Sequence, residues 1–129
     1  MTARLIDGKA VAQKVSAEAQ ARGVAFAERH GRSPAIRLVL VGDDPDSARY
    51  VRSKERAHQQ AGLGVAVVHL PAHTSQATLL EQVDILNRDP AVDGILVQLP
   101  LPPQIDPSTI AAAIDLAKDV DALTPASAG

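Results

Sequence analysis

"AIRLVLVGDDPDSARYVRSKERAHQQAG", residues 35–62, places three kinds of backbone signal end to end. Leu38 to Val41 are continuously apolar, as expected for a strand covered on both faces. "DDPDS", residues 43–47, is turn chemistry, and its Asp and Ser side chains can cap a following helix. The spacing then predicts a helix over about 46–61, closed by Gly62. A buried strand feeding a capped helix through a tight turn is half of a strand–helix–strand unit. The rest of the chain supplies the other halves.

Upstream, the segment 9–29 reads as a helix: Asp7 can cap it, and Val11, Val15, Ala19 and Phe26 fall on one stripe. "HGRSP", residues 30–34, breaks it. Downstream, Gly62 and Gly64 frame a second apolar run, "VAVVHL". A helix over 75–88 follows, with Leu79, Val83 and Leu86 inward and Thr74 or Ser75 as cap. A third short run, "GILVQLP", starts at Gly94. After "PLPPQ", Asp106 and Pro107 mark a helix start with Ile110, Ala113 and Ile114 as its buried face. The tail "KDVDALTPASAG" shows no clear periodicity.

Strands alternating with helices predict an α/β fold: a three-layer domain with a short, mostly parallel sheet flanked by helices. In such sheets ligands gather at the carboxyl ends of the strands, here residues 42–46, 70–73 and 98–103. The helix carrying Tyr50 and Lys54 starts from the first of these ends, and Gln98 closes the third strand. The fold can therefore bring residues distant in sequence to one edge.

The chain has 129 residues, enough for one domain with a real core. Thirteen basic against fifteen acidic side chains give a net charge of -2. That excludes the strong basic excess of a general nucleic-acid or anionic-membrane binder. Without cysteine there is no disulfide framework and no thiolate chemistry. The N-terminus has no apolar stretch suited to a signal peptide, and no apolar run approaches the ~20 residues that span a bilayer. A cytoplasmic location is the expectation.

Several chemical patterns fail on their own terms. Gly62 and Gly64 lack the third glycine of a dinucleotide fingerprint and precede a strand, whereas the fingerprint follows one. No phosphate-cradling P-loop is present. His69 and His73 stand four apart with Pro71 between them and no third metal ligand. Asp43, Asp44 and Asp46 lack the glycine and distal glutamate of a calcium loop, so turn and capping roles explain them better. Arg49, Arg52 and Arg56 form a basic stripe that reads as a solvated face or an attraction for an acidic ligand.

Tyr50 and Lys54 form the pair with the most chemistry, one helical turn apart on one face. Tyr50 is the sole tyrosine in a chain without tryptophan. Y-x-x-x-K is also the pairing of short-chain dehydrogenases, but that family needs a glycine-rich turn and a longer domain. A lone pair of this spacing is ordinarily an accident of a helix surface.

Read together, "VGDDPDSARYVRSKERA", "GILVQLPLP" and "KDVDAL" resemble the bifunctional methylenetetrahydrofolate dehydrogenase/cyclohydrolase family. Its first domain carries V-G-x-x-P-x-S-x-x-Y-V-x-x-K, G-I-L-V-Q-L-P-L-P and K-D-V-D-G. "IDGKAVAQKV" and "LNRDPAVDGI" match as well, so the resemblance covers essentially the whole chain. It implies an enzyme that oxidises methylenetetrahydrofolate to the methenyl form with NADP, then hydrolyses that to 10-formyltetrahydrofolate. By the same resemblance Lys54 is the general acid/base, Gln98 orients it, Tyr50 covers the folate rings and Asp121 holds the pterin edge. Ser47 and Pro100 join them as substrate-binding positions.

The resemblance further implies that residues 1–121 form the folate-binding catalytic domain and 122–129 a linker towards an NADP-binding domain that this chain lacks. No NADP site is expected within the chain, nor any metal. The expected partner is a folate, with no nucleic acid and no membrane, and the full-length family is homodimeric. Such a chain should lack dehydrogenase activity and keep at most weak cyclohydrolase activity. The alternative is a non-catalytic folate- or partner-binding piece. One departure concerns the pterin edge: Ala122, Leu123 and Thr124 replace a glycine, an aromatic and a histidine, and Ala122 restricts the backbone beside Asp121.

Overall fold

The computed structural model describes residues 24–120. The expected N-terminal helix enters this range at its end, with residues 24–30 helical (α1); Asp7, Val11, Val15 and Ala19 lie outside the described residues. Phe26 is partly buried, its ring 4.2 Å from that of His30 and 5.3 Å beneath the Arg32 guanidinium.

Three strands follow: β1 (Ala35–Val41), β2 (Gly64–Leu70) and β3 (Gly94–Val97). They lie side by side in the order β2-β1-β3, and both pairings are parallel. Val39 is level with Val68 on one side and Val97 on the other. The helices between and after them are α2 (Pro45–Gln60), α3 (Gln76–Arg88) and α4 (Pro107–Ala113).

Side chains alternate across a strand, so the continuous apolar run of β1 feeds two cores at once. Val39 and Val41 face α3 and α4, where Leu79, Val83, Ile95, Val97 and Ile110 are almost fully buried. Ile36, Leu38 and Leu40 face the other way and pack with Val51 of α2 and Leu96 of β3. The domain therefore has helix, sheet and helix layers. β2, at one edge of the sheet among the described residues, is only partly buried along its length, whereas β3 at the other edge is buried throughout.

Capping follows the turn chemistry closely. Asp44 caps α2, with Pro45 next; Ser75 rather than Thr74 caps α3; Asp106 caps α4 ahead of Pro107. α4 is shorter than its apolar spacing suggests, ending at Ala113, while Ile114 is its buried cap residue and Ala113 is only half-buried.

Residues 115–118 are held by polar contacts, which hydrophobic periodicity does not register. A short 3-10 turn, Leu116–Lys118, is capped by Asp115. Lys118 Nζ donates to the carbonyls of Leu86, Asn87 and Asp89 at 3.0, 2.7 and 2.8 Å. Those are the C-terminal carbonyls of α3, which have no partner within the helix and attract a cation. Asn87 adds a second clamp, donating to Ala113 O and accepting from Asp115 N.

Candidate functional site

The carboxyl end of β1 sets the site's geometry. Gly42, at φ +97, makes the left-handed turn out of the strand that a side-chain-bearing residue resists. Asp44 then accepts from the backbone N–H and the hydroxyl of Ser47, both at 2.9 Å. These bonds, the backbone one first, hold the Asp44 carboxyl below its ordinary pKa. Ser47 itself is 2% exposed. Its hydroxyl is thus spent inside the turn that aims α2.

One turn into α2, Tyr50 stands 52% exposed. Lys54, the next residue on that face, is half-buried, and its Nζ donates to Gln98 Oε1 at 3.0 Å. The contact joins residues 44 apart in sequence. β3 delivers Gln98: Val97 points to the α3 side, so the following residue turns towards α2, and Gln98 N is fixed by Val39 O at 2.9 Å. Gln98 is 8% exposed, and its Nε2 donates to Leu99 O at 2.8 Å.

That last bond decides what Gln98 can offer. Leu99 O can only accept, so it claims the amide N–H and leaves Oε1 facing Lys54. From sequence, Gln98 could either donate to or accept from the lysine; here it accepts. The Leu99–Pro100 peptide is cis, and Pro100 is exposed beside this pair in sequence.

Other sequence candidates lie elsewhere. At about 100° per residue, Arg49, Arg52 and Arg56 sit at least a quarter turn from both Tyr50 and Lys54, and all three are exposed. The basic stripe therefore occupies a different flank of α2, with Arg49 paired to Asp46. His69 contacts Gly42 O at 2.8 Å and lies 3.6 Å from Asp43, while no group of three metal-ligating side chains gathers among the described residues. Asp121 lies outside the described residues. A cavity of about 210 Å³ opens between α4 and the end of β3, lined by Val97, Leu101, Ile110 and Ile114. It is apolar and on the opposite side of the sheet from Lys54, so the chemistry and this hollow do not coincide.

The structure adds residues that sequence reading passed over. Lys118 was legible only as part of a motif, and its capping role has no local sequence signature. Arg32 forks onto Asp93 at 2.6 and 3.1 Å, and Asp93 also accepts from Ala35 N at the start of β1.

Comparison with known proteins places the chain in a family. The profile of the tetrahydrofolate dehydrogenase/cyclohydrolase catalytic domain matches residues 6–121. The chain belongs to this family. The bifunctional protein FolD of Acidiphilium cryptum is 54% identical over 125 residues, covering 97% of the chain and 43% of the relative. FolD of Rhodopseudomonas palustris strain TIE-1 is 49% identical over all 129 residues, 44% of its own length. Among solved structures, FolD methylenetetrahydrofolate dehydrogenase/cyclohydrolase from Campylobacter jejuni superposes with a TM-score of 0.88 at 39% identity, over 95% of this chain and 43% of that one. The Trypanosoma brucei dehydrogenase-cyclohydrolase, solved with NADP and an inhibitor, gives 0.83 at 37% identity, over 92% and 40%. The chain thus spans less than half the length of these relatives. No described helix is long and apolar enough to cross a membrane.

Proposed function

We propose that this family member binds a reduced folate at the carboxyl edge of its sheet and uses Lys54 to hydrolyse the methenyl bridge. The observation that carries this reading is the hydrogen bond from Lys54 to Gln98, made one helical turn from a half-exposed Tyr50. An aromatic face suits a flat ligand because it gives contact area at little entropic cost. The amine beside it has its position set by an acceptor that cannot rotate away.

In the hydrolysis, a water oxygen adds to the carbon held between N5 and N10 while Lys54, as general base, takes up its proton. Collapse of that adduct breaks the carbon–N5 bond, the adduct's hydroxyl proton passes to N5, and the formyl group remains on N10. The proton taken up by Lys54 is released to solvent. Gln98 Oε1 engages Lys54 Nζ at 3.0 Å, which fixes where the lysine side chain ends. Asp121 holds the pterin edge in this reading. Its support is the direction of the preceding chain, which runs parallel to β3 at Asp119, towards the edge where Gln98 stands. Ser47 serves by fixing the turn before α2, and Pro100 lies in the loop that follows Gln98.

NADP does not fit the described residues. The β1–α2 turn presents Asp43, Asp44 and Asp46, and Asp44 already occupies the α2 N-terminus where a pyrophosphate would need free N–H groups. The β2–α3 and β3–α4 turns have no glycine, and they are capped by Ser75 and Asp106. The oxidation implied for the full-length family therefore needs residues outside this set to hold the NADP that would accept the hydride.

The test is the decay of methenyltetrahydrofolate absorbance with the purified chain. Wild type should accelerate it, and Lys54→Ala should lose about 10²-fold or more of that acceleration, the scale of a proton-transfer catalyst. Equal rates for the two proteins remove Lys54 from its role. The half-open setting of Tyr50 favours one second reading, a folate-binding module without turnover. Binding that survives Lys54→Gln, disappears in Tyr50→Ala and never accelerates decay is its signature.

A further inference from the structure

We propose that Gln104 is a positioning residue for the folate site, holding Lys54 and Gln98 at their working separation. The inference rests on the folate reading above.

Gln104 lies in the loop between β3 and α4, and its amide reaches across to the loop between β2 and α3. Its Nε2 donates to Ala72 O at 2.7 Å and to Thr74 O at 2.9 Å, joining residues 32 and 30 apart in sequence. Both N–H groups of the amide are thus committed to backbone acceptors. The receiving loop is itself held: Thr74 is 6% exposed, and its hydroxyl donates to Pro71 O at 2.6 Å. Gln76 makes a second tie between the same two loops, accepting from Asp106 N at 2.7 Å.

Each end of the Gln104 tie leads to one member of the Lys54–Gln98 pair. On one side, Ala72 Cβ lies 3.6 Å from where a Cβ on Gly42 would stand, and Gly42 N donates to Leu70 O at 2.9 Å. Gly42 begins the turn that aims α2 and Lys54. On the other side, residues 99–103 run back to Gln98, and Leu99 O is the acceptor that orients the Gln98 amide. Pro100, Pro102 and Pro103 fix three φ angles in that stretch. A displacement at Gln104 is therefore carried to Leu99 rather than absorbed on the way. Leu101 and Ile105 also seat this loop in the larger core, but apolar burial has no direction. The two Gln104 hydrogen bonds supply one, towards the loop that abuts Gly42. Gln104 is itself exposed, so replacing it leaves both cores filled.

The experiment compares wild type with Gln104→Met, which keeps the stem and removes the donors, and Gln104→Lys, which restores donors on a longer stem. Two quantities are read. One is the nitrogen–proton NMR signal pair of the Gln98 side-chain amide, identified by its loss in Gln98→Ala; the other is the rate of methenyltetrahydrofolate decay. Gln104→Met should move the Gln98 signals towards those of solvent-exposed glutamines. It should also slow hydrolysis roughly tenfold, since small displacements of reacting groups carry large costs. Gln104→Lys should keep the wild-type signals and a rate within about twofold of wild type, because it can donate to the same carbonyls. A double variant, Gln104→Met with Gln98→Ala, should hydrolyse within about twofold of Gln98→Ala alone, the non-additivity of residues that act as a unit.

Gln98 signals that stay in place in Gln104→Met overturn the proposal, and so does a shift of those signals with no change in rate. A Gln104→Lys that falls as far as Gln104→Met, or losses that multiply in full in the double variant, overturn it as well. A wild-type chain that never accelerates decay sinks the folate reading, and the Gln98 signals then decide alone whether Gln104 sets that amide.

Discussion

At the residue scale, the site is a contest over one amide. Gln98 must satisfy Leu99 O with its N–H and Lys54 with its oxygen, and both bonds are made. Gln98→Glu keeps an acceptor for Lys54 but sets a carboxylate oxygen against the Leu99 carbonyl, an acceptor facing an acceptor. The new side chain must turn away, taking Lys54 with it or leaving it. Methenyltetrahydrofolate hydrolysis should then fall by roughly tenfold or more, while Gln98→Asn, one carbon too short to reach both partners, should fall similarly. Unchanged rates in both would show that Lys54 needs no partner. Tyr50 and Lys54 were legible from spacing because a helix repeats locally, so the sequence itself states that they share a face. Gln98 was not legible in that way. Its pairing with Lys54 depends on strand order, and only the motif "GILVQLPLP" singled it out.

At the scale of elements, the strand–helix alternation and the caps could be read directly, because Asp44, Ser75 and Asp106 act on backbone within three residues. Elements tied by distant polar contacts could not. Arg32 lies in the stretch between α1 and β1, and Asp93 precedes β3, yet their fork fastens the entry of the central strand to its neighbour. The Arg32 hydrogen bonds, together with that from Ala35 N, hold the Asp93 carboxyl below its ordinary pKa. A carboxyl depressed in the folded state binds fewer protons there than in the unfolded chain. Its contribution is therefore complete above the ordinary aspartate value of ~4 and is lost as pH falls below that value through the lower folded one. Asp93→Asn should be less stable than wild type at neutral pH, and the gap should close in strong acid. Denaturant midpoints of the two proteins at neutral pH and on descent below pH ~4 check this. A gap that stays constant with pH would assign the loss to the backbone bond from Ala35.

At the scale of the whole molecule, the sheet separates stability from function. One core lies between the sheet and α3 with α4, and the other lies under α2, which carries the site. Within α2 only Ser47 and Val51 are buried, so Val51, with the partly buried Ala48 beside it, seats Tyr50 and Lys54 over the strands. Ile110 of α4 is equally enclosed, at 1% exposure against 2% for Val51, but on the other side of the sheet. Trimming each side chain should therefore separate two effects that burial alone cannot distinguish. Ile110→Val should cost about 1 kcal/mol, lower the unfolding temperature by roughly 4 °C, and leave folate affinity within about twofold of wild type. Val51→Ala should lower stability too, and it should also weaken affinity severalfold, because α2 can settle or tilt into the space and displace both site residues together. Unfolding curves and calorimetric titration with 5-formyltetrahydrofolate measure the two quantities side by side. Equal affinity losses on both sides would mean that the sheet transmits packing changes through its full thickness. A loss confined to Val51 would mean that the three layers insulate the site from the larger core.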